Sequence, residues 1–227
     1  FRLPRSATIG SGAPVAIAVP DTSIRGTLVY RRYRSHDEWT AVPMRWERGI
    51  LVAELPEQPP AGKVMYVVRL ARNDQEISLT KEPVVLRFKG HVPIGVLLPH
   101  ILLITLAMFF SNRAGLEAIG KGGKPRPFML VTIVLFLAGG FVLGPIVQEL
   151  AFGAFWTGFP FGHDLTDNKT LLAMVGWLVA WWVTGGGRRR RGWVVAAAVL
   201  MMAVYLIPHS LLGSELDYTA MAGVGDR

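Results

Sequence analysis

The chain has 227 residues, of which 51% are hydrophobic, and a formal net charge of +8. It contains no cysteine, which excludes disulfides, thiolate metal sites and thiol catalysis. A basic balance in a soluble protein points to nucleic acid, but here the location of the charge matters more than its sum, and it reads as membrane topology.

Residues 1–90 are mixed and charged, whereas from His91 onward long apolar runs alternate with short polar ones. This composition shift divides the chain into a 1–90 domain and a 91–227 domain. The chain opens on Phe1 rather than methionine, so a preceding segment or a further helix upstream stays open.

The first domain reads as short strands. Segments 15–19, 26–33, 39–46, 50–55, 63–71 and 84–88 are rich in β-branched and aromatic residues, and turn residues such as Arg48-Gly49 separate them. Pro59-Pro60-Ala61-Gly62-Lys63 before Val64-Met65-Tyr66-Val67-Val68 resembles the tyrosine corner of immunoglobulin-like and fibronectin type III domains. That resemblance implies an all-β sandwich and a structural Tyr66 whose hydroxyl satisfies upstream backbone. Arg31, Arg32 and Arg34 lie on one strand with Tyr30 and Tyr33. They read either as a solvated face or as a docking surface for an acidic partner.

The second domain predicts four membrane-spanning helices, at about 91–110, 128–147, 165–183 and 193–212, because a hydrocarbon core about 30 Å thick takes roughly 20 apolar residues. The third is the most polar, with Asp167, Asn168 and Lys169 near its start. Gly139, Gly140 and Gly144 permit close helix contact, and Pro99, Pro145 and Pro208 free backbone carbonyls that neighbours must satisfy. Arg113, Lys121, Lys124 and Arg126 occupy the first connection, and Arg188, Arg189, Arg190 and Arg191 the third. The 148–166 connection and the tail carry Glu149, Asp164, Glu215, Asp217 and Asp226. The positive-inside rule then predicts a multi-pass protein of a bacterial inner membrane, with the β-domain and the C-terminus in the periplasm.

Chemistry, if any, concentrates on that outer face. The 152–170 stretch is aromatic and glycine-rich and ends in His163, Asp164, Asp167, Asn168 and Lys169. Phe155, Trp156, Phe159 and Phe161 need cover from lipid, the β-domain or a partner subunit. Three uses of the polar residues compete. His163, Asp164 and Asp167 form a candidate metal set. His100 or His209 is a candidate axial ligand for a tetrapyrrole. The plainer use is a polar cap in which Thr166 or Asp167 closes a helix N-terminus. No nucleophile–base pair is visible, and Gly120-Lys121-Gly122-Gly123-Lys124 lacks the Ser or Thr of a phosphate loop. Four helices with no acidic residue inside an apolar run argue against a transporter.

Segments 99–118, 155–170 and 207–218 resemble a family of bacterial inner-membrane proteins without an established activity, so the resemblance supplies no catalytic residues. A four-helix protein with a periplasmic immunoglobulin-like domain also resembles an accessory subunit of an energy-transducing complex, such as a photosynthetic reaction centre with its antenna. That resemblance implies a non-enzymatic role with other membrane subunits as partners, and any cofactor would be a pigment in contact with the chain.

Overall fold

The computed structural model describes residues 1–73, 75–185, 190–208, 216, 218 and 219. It divides into a β-rich unit, which runs to His91 and includes Leu216, Tyr218 and Thr219, and a helical unit that starts at Val92.

The β unit has two sheets. In the larger, strands run in the order β1 (Ser6–Thr8), β9 (Val84–Lys89), β7 (Lys63–Arg72), β3 (Arg25–Arg32), β4 (Thr40–Pro43). The strand β8 (Gln75–Ser78) pairs the far half of β7. The smaller sheet is β2 (Pro14–Ala18), β6 (Ile50–Glu54), β5 (Arg45–Glu47). All described pairings are antiparallel except β1 with β9. Alternate side chains point inward, as a period of two requires. Val15 and Ile17 of β2 and Leu51 and Ala53 of β6 meet Leu28, Val64, Tyr66, Val68, Leu86 and Phe88 in one apolar core.

Two strand assignments need correction. The 39–46 segment is not one strand: it breaks at Met44, with Thr40–Pro43 in the larger sheet and Arg45–Glu47 in the smaller. Met44 is buried at the crossing and its amide donates to the Gly26 carbonyl at 2.8 Å. The strands β1 and β8 escape sequence reading because they are short and polar or exposed.

The Tyr66 hydroxyl donates to a backbone carbonyl, but to that of Pro4, 62 residues upstream, at 2.8 Å. The bond fastens the segment before β1 to the sheet rather than closing a local corner. Tyr218 also belongs to this unit. Its hydroxyl meets Gln58 Oε1 at 3.0 Å and the Arg32 guanidinium lies 4.7 Å from its ring centre. Gly62 leaves the space: a Cβ there would stand 2.6 Å from the Tyr218 oxygen.

The helical unit contains α1 (Ile94–Ile119), α2 (Pro125–Phe136), a π-helical segment (Leu137–Leu143), α3 (Gly144–Phe152), α4 (Leu165–Val183) and α5 (Gly192–Leu206). The α2, π and α3 segments run on as a single 28-residue helix. This helix and the 26-residue α1 are long and apolar enough to cross a membrane. The α4 helix coincides with the predicted 165–183 span but carries Asp167 and Lys169, and α5 has only 15 residues, shorter than the predicted 193–212. Residues 209–212 of that expectation lie outside the described residues.

Packing within this unit rests on small residues. Ala107, Ser111, Ala114, Gly115 and Ala118 form the buried face of α1. A Cβ on Gly115 would stand 2.9 Å from the Ala198 Cβ of α5. In lipid, where apolar surface gives no net drive between helices, such stripes allow the backbones to approach. Gly139 does the same against α1, where a Cβ would stand 2.9 Å from Ile104 Cγ2 and 3.1 Å from the Ile104 nitrogen. The π segment has an identifiable cause. Pro145 has no N–H to continue the i→i−4 ladder, and the Gly144 amide instead reaches back to the Gly139 carbonyl.

Candidate functional site

The polar residues of the helical unit converge where the 153–164 connection meets the start of α4. Asp164 stands immediately before the helix and is its N-cap. Its Oδ1 accepts from the Thr166 amide at 2.7 Å and the Asp167 amide at 3.3 Å. The expectation that Thr166 or Asp167 caps this helix is thereby corrected.

Asp167, one turn in and 5% exposed, turns its carboxylate toward the connection. Its Oδ2 accepts from the Thr157 amide at 2.7 Å, the Thr157 hydroxyl at 3.2 Å and Gln148 Nε2 at 3.1 Å. Gln148 also donates to Thr157 Oγ1 at 2.8 Å. Asn168 Oδ1 accepts from the Phe159 amide at 2.7 Å. Gly158 is needed there, because a Cβ would stand 2.5 Å from that of Asp167. The buried Lys169 donates its ammonium protons to the carbonyl of Ile207, the residue that ends α5.

This arrangement does not make the expected metal centre. Among the described residues there is no group of three or more His, Cys, Asp or Glu side chains placed to hold a metal ion. His163 is exposed, while Asp164 and Asp167 direct their oxygens at backbone and side-chain donors. A carboxylate already receiving such bonds is a structural acceptor.

His100 lies on α1, apart from this cluster in sequence. Its Nδ1 stands 2.9 Å from the Gly139 carbonyl in the π segment. With that nitrogen as donor, Nε2 carries the lone pair. His209, its alternative as a tetrapyrrole ligand, falls outside the described residues.

The aromatic residues of the connection divide into two sets. Trp156 is half-buried, stacked on Phe141 with ring centres 5.7 Å apart, and its Nε1 donates to the Phe159 carbonyl at 3.1 Å. Phe155, Phe159 and Phe161 are 55%, 67% and 83% exposed.

The opposite connections of the helical unit are basic and come together. Arg191 donates to the Gly120 and Gly123 carbonyls at 2.9 and 3.1 Å. The Arg126 guanidinium lies 4.5 Å from the Trp181 ring centre, and Arg113 pairs with Glu117 at 2.6 Å.

In the β unit the arginine run is engaged within its own surface. Arg31 lies 4.9 Å from the Trp39 ring centre, and Arg34 lies 5.9 Å from that of Tyr33. Arg32 holds Asp37 in a fork of 2.6 and 2.8 Å, and that fork keeps the Asp37 carboxyl below the usual range.

Gln148 and Thr157 are the members absent from the sequence expectation, which named Lys169 but not its partner Ile207. A glutamine and a lysine within or beside apolar runs were the available signal, since such groups need internal partners. No family model, curated protein or solved structure matches the chain.

Proposed function

We propose that the chain is a non-catalytic subunit of a bacterial membrane complex, crossing the inner membrane four times and carrying an immunoglobulin-like domain on the periplasmic side. The observation that carries this reading is the use of Asp164, Asp167, Gln148 and Lys169. The groups best suited to chemistry at that end hold loop and helix termini in place. A site built this way is a scaffold.

Three observations support the architecture. The larger sheet order with β1 parallel to β9, opposed to β2-β6-β5, matches the strand arrangement of immunoglobulin-like sandwiches. Tyr218 groups with the β unit, so the chain leaves that unit before α1 and rejoins it after α5, which favours an even number of crossings. Arg191 bonded to Gly120 and Gly123 brings both basic connections to one end, as four alternating crossings require.

The cysteine-free sequence makes the topology directly testable. Single cysteines at Glu38, Lys121 and Arg190 are treated with a membrane-impermeant maleimide in intact spheroplasts and in inside-out vesicles. The reading expects Glu38→Cys to label only from outside, and the other two only from inside. Labelling of Lys121→Cys in intact spheroplasts would overturn it. The subunit role expects partner chains to co-purify from native membranes in mild detergent, and a clean monomer would sink it. A photosynthetic complex further requires pigment absorbance in that fraction.

One observation favours a second reading, in which His100 is the axial ligand of a haem or chlorophyll. The Gly139 carbonyl fixes the ring through Nδ1, the type of anchoring that ligating histidines use. A visible spectrum of the native protein tests it, and a colourless preparation that keeps its partners rejects it.

A further inference from the structure

Resting on the membrane reading above, we infer that the 153–164 connection is a re-entrant aromatic wedge seated in the bilayer interface, with Phe155, Phe159 and Phe161 among lipid chains.

The helix from Pro125 to Phe152 has 28 residues, about 42 Å at 1.5 Å per residue. A hydrocarbon core is about 30 Å thick, so this helix is longer than the core by roughly 12 Å. The connection does not continue outward from its end. Trp156 stacks on Phe141, eleven residues before the helix terminates, which is a return of about 16 Å along the axis. The return covers the excess. A helix that projects beyond the core is therefore followed by a loop that comes back to the interface.

Irregular backbone survives at membrane depth only where its polar groups find partners inside the protein. Here they do. The Thr157 amide goes to Asp167, and the Phe159 amide to Asn168. The Phe161 and Gly162 amides both reach the Gly158 carbonyl at 2.9 Å, and the Asp164 amide reaches the Thr157 carbonyl at 3.0 Å. The loop thus turns its polar backbone inward and its phenylalanines outward.

Lipid suits this surface better than a protein partner does. Protein interfaces carry about one hydrogen bond per 100–200 Å². This loop spends those amides on itself and on α4 and offers phenyl rings, which suits acyl chains. Leu172 and Val175 of α4, in the same unit, are likewise apolar and exposed.

Spin labels test this in lipid nanodiscs, using single cysteines at Phe155 and Phe161, with Val134 of α2 and Glu38 of the β unit as references. All four positions are exposed, so the labels need no repacking. Collision with oxygen reports lipid, and collision with a nickel chelate reports water. The inference expects Phe155→Cys and Phe161→Cys to show an oxygen-to-nickel ratio several-fold above that of Glu38→Cys and below that of Val134→Cys. If Val134→Cys is in lipid while the loop positions match Glu38→Cys, the wedge is overturned and the membrane reading stands. Loop labels shielded from both reagents mean a protein cover and also overturn the wedge. If Val134→Cys is itself in water, the membrane reading falls and takes the wedge with it.

Discussion

Lys169, near the start of α4, donates to the carbonyl of Ile207, which closes α5. Ile207 is the C-cap of α5 with extended backbone, and the last carbonyls of a helix find no amide within it and take donors from elsewhere. The cation also suits the negative end of the helix dipole. Replacing Lys169 by Met keeps the stem but leaves the carbonyl without this donor, at a cost of about 1–3 kcal/mol. The expected result is a lower midpoint of thermal unfolding in detergent for Lys169→Met, with Lys169→Arg falling less. Equal midpoints for wild type and Lys169→Met would show that the bond contributes nothing.

Asp167 and Thr157 are joined through both the amide and the hydroxyl of the threonine. Asp167→Ala strands a buried amide and removes the acceptor for Gln148, so a loss of about 2–4 kcal/mol is expected from the combined orphaned donors. Asp167→Asn keeps one oxygen for the amide and loses less. Limited proteolysis within 153–164 is the readout. Both variants should be cut faster than wild type, with alanine the fastest. Unchanged cleavage of the alanine variant would separate the loop from this carboxylate.

What the sequence made legible follows the range of each interaction. Long apolar runs and strand periodicity are local, and they place α4 and most strands within a few residues, whereas α1 runs nine residues past the expected end at 110. The break at Met44 is marked only by Pro43, because both halves of 39–46 have the same β-forming composition. The pairing of Tyr66 with Pro4 crosses 62 residues and leaves no local trace beyond a tyrosine in a strand. At the site, Asp164-Leu165-Thr166-Asp167 offers several residues able to cap a helix, and chain geometry alone selects Asp164. Lys169 looked like a defect in an apolar run because its partner lies 38 residues away.

Tyr66 makes the β unit sensitive to alkali. Burial pushes its phenol well above the ordinary tyrosine range, and burial raises Tyr218 as well, with Arg32 opposing. A raised value means the folded state keeps the proton after the unfolded chain has lost it. The contribution is complete below the ordinary value near 10 and is lost as pH rises beyond it. Unfolding of the full chain, followed in the far-ultraviolet strand signal, should become easier above about pH 10. Tyr66→Phe should cost about 1 kcal/mol at neutral pH through the lost bond to Pro4. It should also flatten the alkaline decline. A variant with the same alkaline slope as wild type would exclude Tyr66 as its source.

Gly139 gives the sharpest packing test, because the atoms facing it include backbone. An added Cβ would stand 2.9 Å from Leu103 Cβ and 3.1 Å from the Ile104 nitrogen. Neither can rotate away, so Gly139→Ala must push α1 from the π segment. Overpacking of this kind costs about 1–3 kcal/mol. The same displacement stretches the bond between His100 and the Gly139 carbonyl, so the two effects arrive together. Gly140→Ala serves as the comparison. There the nearest atom is the Thr170 methyl at 3.2 Å, a side-chain atom, although Thr170 is held by a bond to Thr166. Thermal unfolding in detergent should therefore rank wild type above Gly140→Ala, and Gly140→Ala above Gly139→Ala. The reverse order would mean that α1 and the π segment are not in close contact in the membrane-extracted protein.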